Sequence, residues 1–183
     1  MSEFCCFVNA LEQKLCDAKI KVVAFELTDS TNARAKAYAA DAADTCPVLF
    51  VAKEQSAGRG RLGRDFLSRA DSGIYMTLLY FTCEPLCRAV SVTTATAVAA
   101  ANAICDVTGE QVGIKWVNDI YNEKGKVAGI LVESVAAKDG YAIAVGIGIN
   151  VGARDFPPDL CDIADSLSPL DDDKKAELVE SVC

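Results

Sequence analysis

The chain contains no histidine among its 183 residues. Without histidine, neither a Ser-His nor a Cys-His nucleophile can form within the chain. The nine cysteines include no C-x2-C pair, and an odd number of them cannot pair completely within one chain. We therefore expect reduced thiols rather than a disulfide scaffold, and we expect no structural zinc site.

Basic residues are also scarce, with 18 Lys and Arg against 26 Asp and Glu and a formal net charge of −8. Because a DNA-binding surface neutralises phosphates with basic side chains, this balance argues against duplex DNA as a partner. No apolar run reaches the roughly 18 residues of a membrane span, and the N-terminus lacks a basic flank and a signal cleavage site. We expect a soluble, cytoplasmic protein with neither a nucleic-acid nor a membrane partner.

Apolar residues account for 51% of the chain, enough for the core of one domain at this length. Asp139-Gly140 is a strong hairpin dipeptide between the last two predicted strands. Because the strands and helices do not alternate regularly, we predict an α+β fold with a mixed, largely antiparallel sheet packed with helices. The predicted helices cover residues 3–18, 31–43 and 89–107 and a segment from near Asp171, and the predicted strands cover residues 20–27, 47–53, 73–81, 112–116, 126–134 and 141–151.

The segment from Lys53 to Arg69 reverses the charge of the chain, with five basic residues against two acids. Within it, residues 57–64 (AGRGRLGR) alternate glycines with arginines. Glycine lets backbone N–H groups approach an anion closely, and guanidinium groups bind carboxylate or phosphate oxygens with paired hydrogen bonds. The pattern predicts a site for a small, multiply charged ligand, and a flexible basic surface loop is the alternative.

Gly58, Gly60 and Gly63 also match the G-x-G-x-x-G pattern of dinucleotide-binding folds. That motif opens an apolar helix directly after a strand, whereas here residues 65–69 (DFLSR) and 71–73 (DSG) follow. No Gly-Lys-Ser/Thr follows a glycine loop at the spacing of a Walker A motif. Neither nucleotide motif is therefore favoured.

A second polar cluster, residues 115–119 (KWVND), lies at the end of a predicted strand and precedes residues 126–133 (KVAGILVE). Its lysines could contact carboxylate and phosphate oxygens, and Asp119 could bind a hydrated Mg2+. A simple turn is the alternative for Asn118-Asp119. Asp29 or Ser30 likewise offers a helix cap, which is compatible with ligand binding at a helix N-terminus.

Four blocks occur in a specific order between residues 29 and 151. Together they resemble the catalytic domain of biotin-protein ligases, the biotin–[acetyl-CoA-carboxylase] ligases. The resemblance implies the sheet-and-helix fold shared with class II aminoacyl-tRNA synthetases and lipoate ligases. The blocks are residues 29–32 (DSTN), 54–64 (EQSAGRGRLGR), 115–119 with 126–133, and 146–151 (GIGINV).

The resemblance implies an enzyme that activates biotin with Mg-ATP, giving biotinyl-5′-AMP and pyrophosphate. Biotin then passes to a lysine of a biotin carboxyl carrier protein or domain. The mixed anhydride is itself the activated acyl donor, so the lack of histidine is no obstacle. The alternatives are a non-catalytic module that binds biotin or biotinyl-AMP, and a lipoate ligase-like acyl enzyme. An octanoyl transferase would need a cysteine nucleophile, and none lies in the four blocks.

The resemblance also implies roles for individual positions. On the biotin side, where amide and hydroxyl groups match the ureido ring, the residues are Ser30, Thr31, Asn32, Gln55, Arg59, Gly60, Arg61 and Lys126. For the nucleotide they are Arg61, Arg64, Phe66, Lys115, Asn118 and Asn150. The catalytic residues are Arg61, Lys115, Asp119 and Lys126, with Asp119 also implied as the Mg2+ ligand.

The chain departs from the family pattern at Val117, where proline is more usual, and at both ends. Few residues precede the first predicted strand, so we expect no N-terminal DNA-binding domain. The chain stops at Cys183, so we expect the usual small C-terminal domain to be absent. Residues 1–183 are thus predicted to form a single catalytic domain, and a homodimer is allowed.

Overall fold

The computed structural model describes residues 3–83, 89–138, 140–153 and 155–183. The helices are α1 (Glu3–Leu15), α2 (Thr31–Asp41), α3 (Ala89–Thr108) and α4 (Asp172–Val182). The strands are β1 (Lys21–Thr28), β2 (Val48–Gln55), β3 (Gly73–Thr82), β4 (Gly113–Lys115), β5 (Asp119–Tyr121), β6 (Lys126–Ala137) and β7 (Gly140–Asn150). A short 3-10 turn covers Arg61–Gly63.

These strands form one seven-stranded sheet in the order β1-β2-β3-β7-β6-β5-β4. β1 and β2 run parallel with α2 as their crossover, and the other neighbouring pairs are antiparallel. The sheet therefore confirms the predicted α+β architecture, mixed and largely antiparallel.

Side chains alternate along each strand, which divides the core into two layers. On the first face, Leu49 and Met76 belong to a cluster that includes side chains of α1, α3 and α4. On the second face, Phe50 packs in a cluster with Ala35 and Ala39 of α2. Burying a side chain the size of Leu49 contributes about 1.5–3 kcal/mol. The candidate site lies on the second face, at the N-terminus of α2.

The C-terminus of α3 and the N-terminus of α4 lie close to where the sequence predicts them, whereas α1 and α2 end at Leu15 and Asp41, earlier than predicted. α3 is followed by Gly109 at a φ of +75°, a left-handed conformation that suits glycine after the last turn of a helix. α4 begins after Asp171, whose carboxylate accepts a hydrogen bond from the Lys174 N–H at 2.8 Å. Among the described residues, no helix has both the length and the apolar composition that crossing a bilayer requires.

The second half of the sheet differs from the prediction in one strand. The sequence pattern does not predict β5, because a strand of three residues is too short to show a period. Asn118 lies in the turn between β4 and β5, and Asp119 begins β5. The predicted hairpin joins β6 to β7, with Ala137 paired with Gly140, and Asp139 lies outside the described residues.

Candidate active site

A cleft with an empty volume of about 450 Å³ opens on the second face of the sheet. It lies between the N-terminus of α2, strands β6 and β7, and the glycine-arginine loop of residues 57–64. All the positions predicted for the biotin side line it, together with Phe66 and Asn118. The full lining is Ser30, Thr31, Asn32, Gln55, Arg59, Gly60, Arg61, Phe66, Met76, Asn118, Lys126, Gly129, Ile130, Leu131, Gly146, Ile147 and Gly148.

Glycines form the floor of this cleft. Gly146 and Gly148 alternate along β7 and so face the same side of the sheet, and Gly129 of β6 pairs with Gly148. A Cβ atom at position 146 would collide with the Asn32 side chain, and one at position 148 would collide with the Phe66 ring. The absence of these side chains is therefore what lets α2 and the Phe66 ring approach the sheet.

The turn between β1 and α2 is held by Asp29. Its carboxylate accepts hydrogen bonds from the Ser30 N–H at 2.6 Å and from Arg34 at 2.7 Å. Burial would raise the pKa of the Asp29 carboxyl, but the hydrogen bonds from Arg34, Ser30 and Thr28 and the charge of Arg34 outweigh burial, so this pKa is lowered. Ser30 itself is the N-cap residue and makes no side-chain capping bond.

Gln55 is fixed at the inner end of the cleft. Its Oε1 accepts the Thr31 N–H at 2.8 Å, and its Nε2 donates to the Ser68 Oγ at 2.8 Å. The Ser68 hydroxyl in turn donates to the Phe66 carbonyl oxygen at 3.0 Å. Both ends of the carboxamide are engaged, so its orientation is set.

A polar cluster lies beneath this end, in which Thr31, Asn32 and Thr77 are buried and the side chains of Lys36 and Glu133 are about a quarter exposed. The Asn32 Nδ2 donates to the Glu133 Oε2 at 3.0 Å, and the Lys36 Nζ lies 2.6 Å from the Glu133 Oε1. The Thr77 Oγ1 lies 2.6 Å from the Asn32 Oδ1 and 2.8 Å from the Thr31 Oγ1. The cluster thus connects an ion pair to two residues that line the cleft.

Glu133 carries a negative charge in this cluster. Burial would raise the pKa of its carboxyl, but hydrogen bonds from Lys36 and Asn32 and the positive charges of Lys36 and Arg59 outweigh burial. The pKa of Glu133 is consequently lowered, and the carboxylate acts as an acceptor throughout the neutral pH range.

Cationic side chains gather at the mouth of the cleft. The Lys126 Nζ lies 2.8 Å from the Asp119 Oδ1, and the Asn118 Nδ2 donates to the same oxygen at 2.8 Å. Arg61 donates from Nη1 to the Asn118 Oδ1 at 2.9 Å. This last bond joins the glycine-arginine loop to the turn between β4 and β5, so residues distant in sequence meet at one point.

Phe66 separates this cleft from a second one. Its ring centroid lies 6.0 Å from the Lys126 Nζ and 6.4 Å from the ring centroid of Tyr75 in an edge-on contact. Asn150 lies in the second cleft, where its Nδ2 donates to the Asp165 carbonyl oxygen at 2.9 Å. The second cleft, of about 440 Å³, is lined by Leu67, Arg69, Ser72, Tyr75, Asn150, Ala153, Asp155 and Phe156.

Two predicted cations lie outside both clefts. Lys115 pairs with Asp119 in the β4–β5 ladder, yet its Nζ lies 4.7 Å from the ring centroid of Tyr121. Arg64 is exposed, and its carbonyl oxygen accepts the Gly60 N–H at 2.7 Å. The structure therefore does not bring these two side chains together with the other predicted site residues.

Three residues that the sequence analysis did not select belong to the site. Thr77 is fully buried within the apolar strand β3, and an isolated threonine in such a run is a weak signal. Glu133 lies in the block of residues 126–133, and the two-residue alternation along β6 places it on the same face of the sheet as Gly129. Lys36 gives no signal, because lysines are common on helix surfaces.

Asp119 has the chemistry of a magnesium ligand. Both of its bonds fall on Oδ1, and within the described ranges Oδ2 makes no hydrogen bond or ion pair. Mg2+ is usually bound by one or two carboxylates together with phosphate oxygens. No group of three or more Cys, Asp or Glu residues in the described part of the chain lies close enough to hold a metal. The residues therefore fit a magnesium ion bound together with a phosphate-containing ligand.

Comparison with known proteins agrees with this geometry. Residues 24–150 match the model of the biotin/lipoate A/B protein ligase family. The chain is 42% identical over 123 residues to the bifunctional ligase/repressor BirA of Bacillus subtilis. It is 41% identical over 136 residues to the biotin–[acetyl-CoA-carboxylase] ligase of Paracoccus denitrificans. The fold is similar to that of a biotin protein ligase from Aquifex aeolicus in complex with biotin and ATP, with a TM-score of 0.69 and 30% identity.

These similarities cover different shares of each protein. The matches cover 66% and 70% of this chain but 38% of the Bacillus protein and 54% of the Paracoccus protein. The structural match covers 88% of this chain and 67% of the Aquifex chain. The chain thus spans less than two thirds of the length of these two curated relatives.

Proposed function

Because the chain belongs to the biotin/lipoate A/B protein ligase family, we propose that it activates biotin with ATP and transfers it to a lysine of a carboxyl carrier protein or domain. The observation that carries this proposal is the polarity of the first cleft. Lys126 and Arg61 stand at its mouth, and its inner end is lined by the hydroxyl and amide groups of Ser30, Thr31, Asn32 and Gln55. A small carboxylic acid with a polar head group matches this cleft, with the head group at the inner end and the carboxylate at the mouth.

Biotin would enter with its ureido ring toward Thr31 and Gln55 and its carboxylate toward Lys126. The ring carries two N–H donors and one carbonyl acceptor, so it needs fixed polar partners where water is excluded. Ser30, Asn32, Arg59 and Gly60 would complete the wall of this site. The partly buried hydrogen bonds of Gln55 would hold these partners in place before ligand arrives.

In the first step, a carboxylate oxygen of biotin attacks the α-phosphorus of ATP, and the bond to the leaving pyrophosphate breaks. Two negatively charged groups must approach each other, so cations at this point lower the barrier. Lys126 and Arg61 are placed to do so at the mouth of the cleft. Arg61 would also hold the loop over the adenylate through Asn118.

A magnesium ion, when bound, would draw charge from the phosphate oxygens and orient the leaving pyrophosphate. Asp119 is the residue that would hold it. Lys126 contacts the Asp119 Oδ1 and would thereby keep the Asp119 carboxylate oriented.

The nucleotide would lie toward the second cleft, with Phe66 between the two sites. Asn118 would meet the phosphate groups and Asn150 the nucleoside, since each lines one of the clefts. Arg64 and Lys115 stay candidates for the triphosphate, and each would have to turn its exposed side chain toward the mouth.

In the second step, the amine of the carrier lysine attacks the acyl carbon of the mixed anhydride. The bond between that carbon and the phosphate oxygen breaks, AMP leaves, and the amine loses a proton. Asp119 would position the lysine or accept that proton. The enzyme supplies no covalent nucleophile, in keeping with the lack of histidine.

Release of pyrophosphate tests the proposal. The 183-residue chain is mixed with Mg-ATP and either biotin or lipoate, and the Arg61→Gly variant is assayed in parallel. We expect biotin-dependent release, lowered about 100-fold or more in the variant, because Arg61 supplies charge where the transition state needs it.

The alternatives predict other results. Biotin binding without release would support a non-catalytic binding module. Release with lipoate in place of biotin would support a lipoate ligase-like enzyme.

A further inference from the structure

The main chain of Lys126 is bonded to a segment outside the seven-stranded sheet. The ladder between β6 and β7 begins only at Ala128, and a register shift interrupts the pairing of β6 with β5. A segment named here the strap, residues 163–167 (IADSL), runs parallel to the start of β6. The Lys126 N–H donates to the Ile163 carbonyl oxygen at 2.8 Å, and the Lys126 carbonyl oxygen accepts the Asp165 N–H at 2.9 Å. Both main-chain groups of Lys126 are thus bonded to the strap.

The C-terminal end of the strap is anchored where β7 ends. Leu167 is 1% exposed, so its side chain belongs to the core. Its N–H donates to the Asn150 carbonyl oxygen at 3.0 Å, and its carbonyl oxygen accepts the Gly152 N–H at 2.9 Å. The Asn150 Nδ2 donates to the Asp165 carbonyl oxygen at 2.9 Å. The strap therefore has a fixed position from which it can hold the start of β6.

The side chain of Asp165 ties the strap to the turn that precedes Lys126. The Asn122 Nδ2 donates to the Asp165 Oδ2. Asn122 also forms the turn itself, because its Oδ1 accepts two N–H groups of the turn, each at 2.9 Å. The strap packs closely on this turn, since a Cβ atom at Gly125 would lie 2.9 Å from a carbonyl oxygen of the strap. One carboxylate thus joins the strap to the residues that lead into Lys126.

We infer that Asp165 is a positioning residue for Lys126 in adenylation. Asp165 lines neither cleft, so it acts through the turn at Asn122 and through the main chain of Lys126. The Lys126 ammonium group reaches its place beside Asp119 from that main chain, and a small displacement of a reacting group lowers the rate strongly. The inference rests on the proposed function, which places Lys126 where the carboxylate of biotin meets the phosphate.

The contact between Asn122 and Asp165 needs an acceptor rather than a charge. Both residues are partly buried, so an Asn122 N–H without an acceptor is costly. A carboxamide oxygen can accept this N–H as a carboxylate oxygen does, whereas a methyl group cannot. Asp165→Asn therefore keeps the bond and Asp165→Ala removes it. Both variants remove the same charge, so a difference between them reports the hydrogen bond.

Biotin-dependent exchange of labelled pyrophosphate into ATP measures adenylation by the full chain. Calorimetric titration with biotin gives the concentration of binding sites, and dividing the rate by it removes the contribution of unfolded protein. We expect Asp165→Ala to lower the maximal exchange rate about tenfold or more and to change the dissociation constant of biotin less than about threefold. Asp165→Asn should stay within about threefold of the parent. Asp162→Ala, which removes the same charge at an exposed position of the same segment, is the matched control and should do so too.

A double-mutant cycle tests whether the effect passes through Lys126. In Lys126→Met the ammonium group is absent, so its position no longer matters, and Asp165→Ala should lower the residual rate less than about twofold. A merely structural role would lower the rate by the same factor in both backgrounds. Gly125→Ala disturbs the same contact from the side of the turn, is judged by the same criteria, and decides the question if Asp165→Ala yields no binding sites.

The outcomes separate the two claims. Slow exchange in Asp165→Ala, near-parental exchange in Asp165→Asn and the loss of the effect in Lys126→Met together support the inference. A parental rate in Asp165→Ala, an Asp165→Asn variant that is equally slow, or equal factors in the two backgrounds overturns the inference and leaves the proposed function standing. A parent that catalyses no biotin-dependent exchange overturns the proposed function, and the inference with it.

Discussion

The Nζ of Lys126 lies 2.8 Å from the Oδ1 of Asp119, at the mouth of a cleft whose inner end is lined by Thr31 and Gln55. Each of the two side chains is about a quarter exposed, so the pair is partly shielded from solvent. It holds a positive charge where the substrate carboxylate would meet the phosphate. Removing either partner would therefore affect chemistry more than binding of the head group.

Replacing Lys126 by methionine should separate binding from chemistry. The variant keeps most of the length of the side chain but loses its charge, so we expect adenylation to fall about 100-fold or more. Biotin affinity should fall less, because Thr31 and Gln55 still hold the ring. Pyrophosphate release and calorimetric titration measure the two effects. An adenylation rate within a few-fold of the parent would argue against Lys126 at the reacting end.

Asp119→Asn tests the second step. We expect transfer from preformed biotinyl-AMP to the carrier lysine to fall further than adenylation does, because the amide cannot accept the proton of the lysine. Single-turnover transfer and pyrophosphate release give the two rates. Equal losses in both would count against a role for Asp119 in proton transfer.

Gly148→Ala tests the floor of the cleft. The new methyl group would collide with the Phe66 ring, so we expect unfolding to become easier by about 1–3 kcal/mol, with weaker biotin binding. Gly113→Ala is the matched control, since a Cβ there meets nothing within 4 Å. Urea unfolding of both variants checks this. A Gly148→Ala protein as stable as the control would contradict the close packing of Phe66.

Glu133 should make the fold sensitive to acid. Its pKa is lowered in the folded chain from an ordinary value of 4.5, so its stabilising contribution is present above that value. The contribution disappears as the pH falls through the lower folded pKa. Glu133→Gln removes this part of the acid sensitivity, so the difference in stability between parent and variant should shrink with acidification.

Urea midpoints between about pH 7 and about pH 3 measure that difference. Glu177→Gln, an exposed change on the opposite face of the sheet, is the control, because it alters the net charge by the same amount and in the same direction. A constant difference between parent and Glu133→Gln across this range would contradict a lowered pKa at Glu133.

The sequence predicts most of the fold because long periodic segments carry strong signals. The ten-residue strand β3 and the twenty-residue helix α3 show clear patterns, whereas β5 has three residues and none. The resemblance to a known family also implies many of the residues that line the first cleft. The four sequence blocks that carry this resemblance contain most of the lining residues.

The sequence does not predict the side-chain contacts between segments that are distant along the chain. The link between Thr77 and Asn32 depends on how β3 and α2 pack, and the sequence analysis selects Asn32 but not Thr77. The direction of the Lys115 side chain is likewise not predicted by the sequence. Its motif predicts a cation near the phosphates, but the side chain turns toward Tyr121 in the folded chain.

Exchange of labelled pyrophosphate into ATP tests the central claim most directly, because it reports the first step alone and needs no carrier protein. We expect exchange that depends on biotin, falls about 100-fold in Arg61→Gln and changes less than about twofold in Lys174→Gln, which removes an equal charge far from the cleft. A chain that binds biotin but catalyses no exchange would contradict adenylation and leave a binding module in its place.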